Sequence, residues 1–387
     1  MTENLSLKDR LRIKMKSSRE FSTTLILIFI LILSLGFSYL LLQGYNNLTT
    51  DPAVASANFQ PMAQQWQDTA VADGSSPNEL ALNFYGSLEM DQGLRWYLEN
   101  ADFKRFFSQL MPALSAADLN IVSLDSPLNL KTVAQDSFSK QDLEGLKSLN
   151  FRIFSLANAN LCPDRGQATQ ELISDLNALP LDFIGLGENI NAAARSYRIP
   201  YGEKYLSLFS TSAIGRNQRA SLFEAGMSIA TDIQLFDRIT REKVDGGFVV
   251  VMVHWGNLYN TRLGEYQAEL AHRFIDAGAD LVIGSSLGAA AKLETYKNSF
   301  ICYNLGSLRQ SQGDGLLNPG YLLSLELHED REPKLNFTPI SQTLGLPNVV
   351  DAERLHQSIL NELLRNNSDF AVEVGEAGDF TVSYPHN

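Results

Sequence analysis

The sequence predicts an α/β fold, because three short apolar segments have the pattern of strands that are buried on both faces. They are residues 248–256, 278–284 and 303–306, and each is closed by glycine. Between the first two, residues 266–277 carry apolar side chains at helical spacing, and a glycine follows where a helix C-cap is expected. In such a strand, helix, strand unit, functional residues lie at the carboxyl ends of the strands. His254 occupies such a position.

The same patterns place the remaining elements in order along the chain. Further strands are predicted at residues 80–86, 118–124, 151–157, 183–187 and 205–211, and further helices at residues 91–100, 103–114, 143–149, 165–179 and 227–244. Residues 321–340 alternate between apolar and polar side chains around a charged turn, which predicts a β-hairpin. Residues 350–364 have the spacing of an amphipathic helix, and residues 366–387 are polar, so we expect a loosely held tail there.

The N-terminus predicts one transmembrane helix. Residues 21–50 contain no charged side chain, and residues 25–42 are mostly Leu, Ile and Phe, about the length that crosses a bilayer. Residues 1–20 hold six basic and three acidic side chains, which by the positive-inside rule keep this end in the cytoplasm. A cleaved signal peptide is the alternative, although the apolar segment is longer than is typical of one.

These segments divide the chain into five parts. We expect a cytoplasmic tail at 1–20, a single-pass membrane anchor at 21–43, a stalk at 44–79, a folded extracytoplasmic domain at 80–345, and a C-terminal helix and tail at 346–387.

Charge and cysteine content exclude several classes of function. The net charge of −13 argues against a nucleic-acid partner, and it is equally typical of an acidic, soluble surface. Two cysteines, Cys162 and Cys302, are too few for a disulfide scaffold or a cysteine-rich metal site. They are predicted to be independent core residues, with a single disulfide bridge as the alternative.

Three motifs give the sequence a resemblance to a known family. They are His254-Trp-Gly256, the segment Leu270–Gly284 and Tyr303-Asn-Leu-Gly306. Together they resemble the CapA family of poly-γ-glutamate capsule-synthesis proteins, over roughly residues 82–345. That family is similar to the calcineurin-like metallophosphatases, so the resemblance implies a layered αββα sandwich with two sheets face to face and helices outside. It also implies a role in the synthesis, export or tethering of a capsular polymer, with other subunits of a polymer synthase as partners and an anionic polymer as a candidate ligand.

The resemblance further implies a dinuclear metal site, but most of its expected ligands are replaced here. Family motifs supply Gly-Asp, Asn-Leu-Glu, Asn-Asn-His, His-Trp-Gly-x-Glu and Gly-His-His-Pro-His at successive loops. The residues at the corresponding positions are Ser87, Asp125, Asn158, Asn160, His254, Leu258, Ser285, Ser286 and Gly288. Only Asp125 and His254 remain as candidate ligands or catalytic groups, whereas a catalytic metal normally needs three or more protein ligands. We therefore expect no metal and no cofactor, and a vestigial site in a non-catalytic subunit.

Two predictions concern the geometry of that vestigial site. Asp125 and His254 are expected to lie near one another, because a buried carboxylate without a cation needs hydrogen-bond donors. The cleft itself is expected to persist as a neutral to mildly polar pocket.

Other functions stay open at this level. Residues 284–288 match Gly-x-Ser-x-Gly, so Ser286 is a weak candidate nucleophile, with His254 or His356 as base and Asp125 as the orienting acid. Glycine and serine are also ordinary replacements in a loop that has lost its ligands. A metal-dependent or serine hydrolase acting on the polymer, and a general cell-envelope binding protein, are therefore the alternatives.

Overall fold

The computed structural model describes the ranges 77–100, 102–161, 165–256, 264–286, 292–309, 320–343, 346–349, 371–375 and 379–384. These residues belong to the second of two compact units, residues 62–387. The predicted tail and membrane anchor, nearly all of the predicted stalk, and the predicted helix at 350–364 lie outside the described residues. No helix formed by the described residues combines the length and the apolar character needed to span a bilayer.

Strands and helices are interspersed up to residue 276, and the described elements after that residue are strands. The strands are β1 (Glu79–Leu88), β2 (Leu119–Leu124), β3 (Phe151–Ser155), β4 (Asp182–Ile184), β5 (Leu186–Gly187), β6 (Tyr197–Tyr201), β7 (Lys204–Ser212), β8 (Gly226–Met227), β9 (Phe248–His254), β10 (Leu281–Ser285), β11 (Leu293–Tyr296), β12 (Ser299–Cys302), β13 (Ser307–Arg309), β14 (Gly320–His328), β15 (Lys334–Thr343), β16 (Leu346–Val349), β17 (Ala371–Val374) and β18 (Phe380–Ser383). The helices are α1 (Gln92–Asn100), α2 (Phe103–Phe106), α3 (Met111–Ala116), α4 (Lys140–Lys147), α5 (Gln167–Asn177), α6 (Ile190–Ala193), α7 (Ile233–Val244) and α8 (Glu265–Asp276).

Two sheets dominate the described part of the chain. The larger has ten strands, with the path β17-β18-β15-β14-β1-β2-β3-β4 and with β13 and β16 paired at its side. The smaller has six, in the order β11-β12-β10-β9-β7-β6. β1 to β4 are parallel, and so are β7, β9, β10 and β12. Each sheet therefore gathers the carboxyl ends of several strands along one edge.

The main core lies between these sheets. Phe84 and Ile121 of the larger sheet share one buried cluster with Val250, Met252 and Ile283 of the smaller sheet. Successive side chains of a strand point to opposite faces. Alternate residues of β9 therefore belong to the space between the sheets.

The other residues of β9 support an outer layer of helices. Val249, Val251 and Val253 share a second buried cluster with Leu235 of α7 and Phe274 of α8. This explains why the 248–254 segment is apolar without interruption, since both of its faces are covered.

Helices also cover the outer face of the larger sheet. The ring of Phe151 lies 5.2 Å from that of Tyr85 and 5.5 Å from that of Phe107, which follows α2. The result is a mixed α/β, sheet-dominated fold with helices outside two facing sheets. It is consistent with the calcineurin-like domain that the resemblance implies.

The end of the chain differs from the predicted loosely held tail. β17 pairs with β18, and β18 pairs with β15, so both belong to the larger sheet. Phe380 is fully buried, and its ring stacks on that of Phe337 with the centroids 4.7 Å apart. The prediction was wrong because a four-residue alternation is too short to stand out among polar neighbours, and its stability comes from the core that it joins.

The helix predicted at 227–244 begins later, at Ile233. The preceding residues pair with neighbouring strands instead. Ser228 N donates to Gly185 O at 2.9 Å, and Ala230 N donates to Ser212 O at 2.9 Å. Sheet partners that are distant in the sequence therefore override the local helical spacing.

Candidate functional site

Four polar side chains meet where parallel strands end. Asp125 follows β2, Asn158 follows β3, His254 ends β9 and Ser286 follows β10. Each is at most 4% exposed. We call these four residues the carboxyl-edge cluster.

Asp125 is the central acceptor of this cluster. Asn158 Nδ2 donates to its Oδ1, and Ser286 Oγ donates to its Oδ2. His254 Nε2 lies 3.1 Å from Oδ1, which confirms the predicted proximity of these two residues. Asp125 and Asn158 follow strands of the larger sheet, whereas His254 and Ser286 belong to the smaller one. The hydrogen bonds therefore join the two sheets.

The contacts also fix which nitrogen of His254 carries a proton. Ser286 Oγ lies 2.8 Å from His254 Nε2, but its single proton is directed to Asp125. Because both neighbours of Nε2 then present lone pairs to it, Nε2 must be the donor. The other nitrogen, Nδ1, is buried and has no hydrogen-bond partner among the described residues.

The electrostatics of the cluster favour an ionised Asp125. Burial would raise the pKa of this carboxyl group, but attraction to His254 and hydrogen bonds from His254, Ser286 and Asn158 outweigh it. Together they lower the pKa from 3.8 to about 2. The carboxylate is thus charged over the physiological pH range.

Close backbone contacts explain the glycine-bounded motifs around the cluster. A Cβ atom on Gly284 would lie 2.0 Å from Tyr303 O and 2.2 Å from Trp255 Nε1. Trp255 Nε1 donates to Tyr303 O at 2.7 Å, so the tryptophan links two of the recognised motifs. A Cβ atom on Gly86 would lie 1.9 Å from Gly306 O. These motif residues therefore hold the strand ends together.

The other predicted site residues are only partly brought together. Asn160 Nδ2 is 3.5 Å from Asp125 Oδ1, and Ser285 Oγ is 3.5 Å from Ser123 Oγ on the facing sheet. Ser87 is buried, and its Oγ has no hydrogen-bond partner among the described residues. Leu258, Gly288, Cys162 and His356 lie outside the described residues, while Cys302 is buried with a free thiol.

Ser123 is a member of this region that the sequence prediction missed. It lies in β2, two residues before Asp125, which follows that strand, and side chains two apart in extended backbone share a face. That spacing was the available signal for its position between the sheets.

The donor set does not fit a dinuclear metal centre. Both oxygens of Asp125 and the Nε2 atom of His254 are already engaged with neighbouring side chains. Within the described ranges, no group of three or more His, Cys, Asp and Glu side chains could hold a metal ion. Two such ligands fall short of the three or more that metal sites supply.

The geometry also differs from that of a serine hydrolase. In that chemistry the acid binds Nδ1 of the histidine, and Nε2 accepts the proton of the serine. Here Asp125 and Ser286 both contact Nε2, which is a donor, and Nδ1 lacks an orienting acid among the described residues. Ser286 has a φ of 72°, a left-handed backbone conformation that is uncommon outside glycine. Its hydroxyl is buried in the cluster rather than presented to a substrate.

The neutral to mildly polar pocket expected at these residues stays a prediction, since residues 257–263 and 287–291, which flank the cluster in the chain, lie outside the described residues. The side chains of Asp125, His254 and Ser286 are in direct contact and almost completely buried. Because the carboxylate accepts hydrogen bonds from the nearby donors, these side chains contact one another directly.

Comparisons match this chain to proteins that are named for capsule synthesis. A family model described as bacterial capsule synthesis protein PGA_cap matches residues 81–312, which include the whole carboxyl-edge cluster. The chain is 25% identical over 321 residues to the PGA biosynthesis protein CapA of Bacillus subtilis (strain 168), covering 81% of this chain and 84% of that protein. It is 24% identical over 297 residues to the capsule biosynthesis protein CapA of Bacillus anthracis, covering 75% and 70%. A probable polyglutamine synthesis accessory protein of Mycobacterium tuberculosis (strain ATCC 25618 / H37Rv) is 24% identical over 181 residues, covering 43% and 47%.

Proposed function

Because this chain belongs to the family of bacterial capsule synthesis proteins, we propose that it is a non-catalytic subunit in the synthesis, export or tethering of a poly-γ-glutamate type polymer. The names of the CapA relatives support the polymer, since they refer to PGA and capsule biosynthesis. The word accessory in the name of the mycobacterial relative supports a partnership with a separate synthase.

The observation that carries the non-catalytic role is the closed hydrogen-bonding of the carboxyl-edge cluster. A catalytic base must present a free lone pair to the proton that it abstracts, and a nucleophile must reach its substrate. In this cluster the histidine nitrogen that faces Ser286 is a donor, and the serine is 1% exposed. The residues of the carboxyl-edge cluster instead link the two sheets by hydrogen bonds.

The proposal includes a membrane anchor and an extracytoplasmic location for the main domain. Support comes from the apolar segment within residues 21–43 and from the basic residues that precede it. An anchored domain outside the cytoplasm would meet the polymer as it leaves the synthase.

We expect a Ser286→Ala variant to restore surface polymer in a strain that lacks this gene, as the wild-type gene does. The substitution removes one hydrogen bond from the carboxyl-edge cluster. It should lower the free energy of unfolding by only about 1 kcal/mol, because Asp125 keeps its bonds to His254 and Asn158. Surface polymer is measured by antibody binding to intact cells, and the amount of variant protein is measured by immunoblot.

The deletion strain is the control that tests the capsule role itself. Surface polymer that is unchanged by the deletion would contradict that role. A stable Ser286→Ala protein that fails to restore polymer would instead support the serine hydrolase.

Elemental analysis of the purified full-length chain should find well under one equivalent of zinc, manganese or iron, since the donor set lacks a third ligand. A His254→Ala variant is the matched control, and its metal content should equal that of the wild type. Two tightly bound ions per wild-type chain, lost in the variant, would overturn the proposal and indicate a metalloenzyme.

A further inference from the structure

Two large apolar side chains project from a turn between β7 and α7. Phe223 is 93% exposed, the highest value among the large apolar side chains that the structure describes, and Leu222 is 57% exposed. They are the central residues of a reversal in which Ser221 N donates to Glu224 O at 3.1 Å. Gly, Pro, Asn, Asp and Ser dominate such turns, so a Leu-Phe pair is unusual there. We call Leu222 and Phe223 the apolar tip.

Backbone hydrogen bonds hold the turn in place. Ser221 O accepts from Ile190 N at 2.7 Å. Ala220 N donates to Met227 O at 3.0 Å. Phe223 N donates to Ser221 Oγ at 3.3 Å. The backbone beside the tip is thus fixed, and the exposure of its two side chains follows from the fold.

The segment 213–232, which carries the tip, begins beside the carboxyl-edge cluster. Ala213 N donates to His254 O at 2.9 Å. A Cβ atom on Gly215 would lie 3.0 Å from the Cβ atom of Ala159, which is next to Asn158 in the chain. The segment therefore leaves the fold on the side where the parallel strands end.

We infer that the apolar tip inserts into the surface of a phospholipid bilayer, an inference that rests on the membrane anchor of the proposed function. Removing two large apolar side chains from water should favour the docked state by about a hundredfold or more. The anchor holds the domain beside the bilayer, so this gain acts at a high effective concentration. Docking would turn the side that holds the carboxyl-edge cluster toward the membrane.

The length of chain before the domain permits this docking. The described domain begins at residues 77–79, where Gly202 N donates to Pro77 O at 2.8 Å. This is the amino end of β1, whose ten residues place it about 33 Å from the carboxyl ends of the strands. Residues 44–76, between the proposed anchor and this point, can span about 110 Å when fully extended. They are long enough for the side that carries the tip to face the bilayer.

A pocket on another protein fits the tip less well than a bilayer does. A stable protein interface covers about 800 Å² of each partner. The two side chains of the tip present only about 300 Å². Binding to a bilayer requires no matching shape and increases with the apolar area that is buried.

The charges of the segment 213–232 do not favour an electrostatic contact. Its charged residues are Arg216, Arg219, Glu224 and Asp232, so their charges cancel. Arg219 pairs with Asp232 at 2.7 Å, and Glu224 pairs with Arg165 at 3.3 Å. Docking should therefore depend on apolar contact, and zwitterionic lipid should be sufficient.

The inference is tested with the full-length protein in phosphatidylcholine vesicles, with and without bromine on the acyl chains, since bromine quenches nearby tryptophan. Phe223→Trp places the probe at the tip. Val244→Trp is the matched control, because Val244 is 80% exposed at the opposite end of α7 from the segment 213–232. Wild-type fluorescence is subtracted from each variant to remove the emission of the native tryptophans.

The emission that Phe223→Trp adds should fall about twofold or more in brominated vesicles, because the tip lies among acyl chains. The loss should persist in about 0.5 M salt, which screens charges but leaves apolar contact intact. The emission that Val244→Trp adds should fall by less than about a tenth, since that side chain stays in water.

Three results would overturn the docking. They are no quenching of Phe223→Trp, as a tip in water or in a protein pocket would give, equal quenching in both variants, and loss of the quenching in high salt. Flotation of the vesicles separates this outcome from failure of the anchor. If the wild type floats with the vesicles but Phe223→Trp is not quenched, only the docking falls. A wild type that stays out of the vesicle fraction overturns the anchor and the docking together, and the deletion strain described above tests the capsule role separately.

Discussion

Replacing Asp125 by asparagine should lower the free energy of unfolding by about 3 kcal/mol. The substitution removes the charge that accepts bonds from His254, Ser286 and Asn158, and it turns an amide N–H₂ group toward these donors. All of them are buried, so water cannot replace the lost acceptor. Chemical denaturation of the purified variant, followed by circular dichroism, measures the loss.

Asp118 provides a matched control at the other end of the same strand. It precedes β2, is exposed, and accepts one bond from Ala81 N at 2.8 Å. Asp118→Asn should therefore cost less than about 1 kcal/mol. Equal losses in the two variants would show that the carboxyl-edge cluster contributes no special stability.

The difference in stability between wild type and Asp125→Asn should depend on pH, and this dependence provides a second readout for Asp125. Its pKa is lowered in the folded protein from 3.8 to about 2. A group with a depressed folded pKa stabilises the protein above its unfolded pKa and loses that contribution as the pH falls toward the folded value. The difference in free energy of unfolding between wild type and Asp125→Asn should therefore be constant near neutral pH. It should become smaller as the pH falls from 3.8 to about 2.

Replacing Arg95 by methionine should cost about 4 kcal/mol, the largest single effect that we expect outside the main core. Arg95 is buried and forms a bidentate ion pair with Asp142. Its Nη1 donates to Oδ1 at 2.9 Å and its Nη2 donates to Oδ2 at 2.8 Å. It also donates to Ser137 O at 2.8 Å and to Ala134 O at 3.0 Å. The substitution would leave the Asp142 carboxylate buried without its counter-ion, and it would release the loop that follows Asp125. The midpoint and the slope of the chemical denaturation curve together measure this loss of stability.

A surface pair on α4 is the control for this prediction. Lys140 and Glu144 approach to 3.8 Å and are both about half exposed, so Lys140→Met should change stability by less than about 0.5 kcal/mol. The double variant Arg95→Met/Asp142→Leu should recover part of the loss, because it removes both charges. No recovery would show that Arg95 acts through packing alone.

Local sequence patterns were sufficient to predict the strands and helices that form the main scaffold. The apolar segment ending at His254, the helix before Gly278 and the hairpin at 321–340 were each predicted, and the structure contains them as β9, α8 and the β14-β15 pair. They are identifiable because burial on both faces of a strand, or on one face of a helix, leaves a periodicity that extends over many residues.

The predicted proximity of Asp125 and His254 was confirmed. The sequence places Asp125 and His254 at carboxyl ends of parallel strands, and in the fold they touch. It could not show that Asp125 and Ser286 share one nitrogen of His254, because that depends on the spacing between two sheets and on a left-handed backbone at Ser286.

By itself, the sequence determined the family and the sheet-dominated α/β scaffold, since each depends on residue identity and local spacing. Only the tertiary structure decided that the remaining polar groups bond one another across the two sheets, that residues 380–383 join the larger sheet, and that Arg95 pairs with Asp142. The physical reason is that these are contacts between side chains far apart in the chain. Their energies depend on distance and burial, which exist only once the sheets have packed.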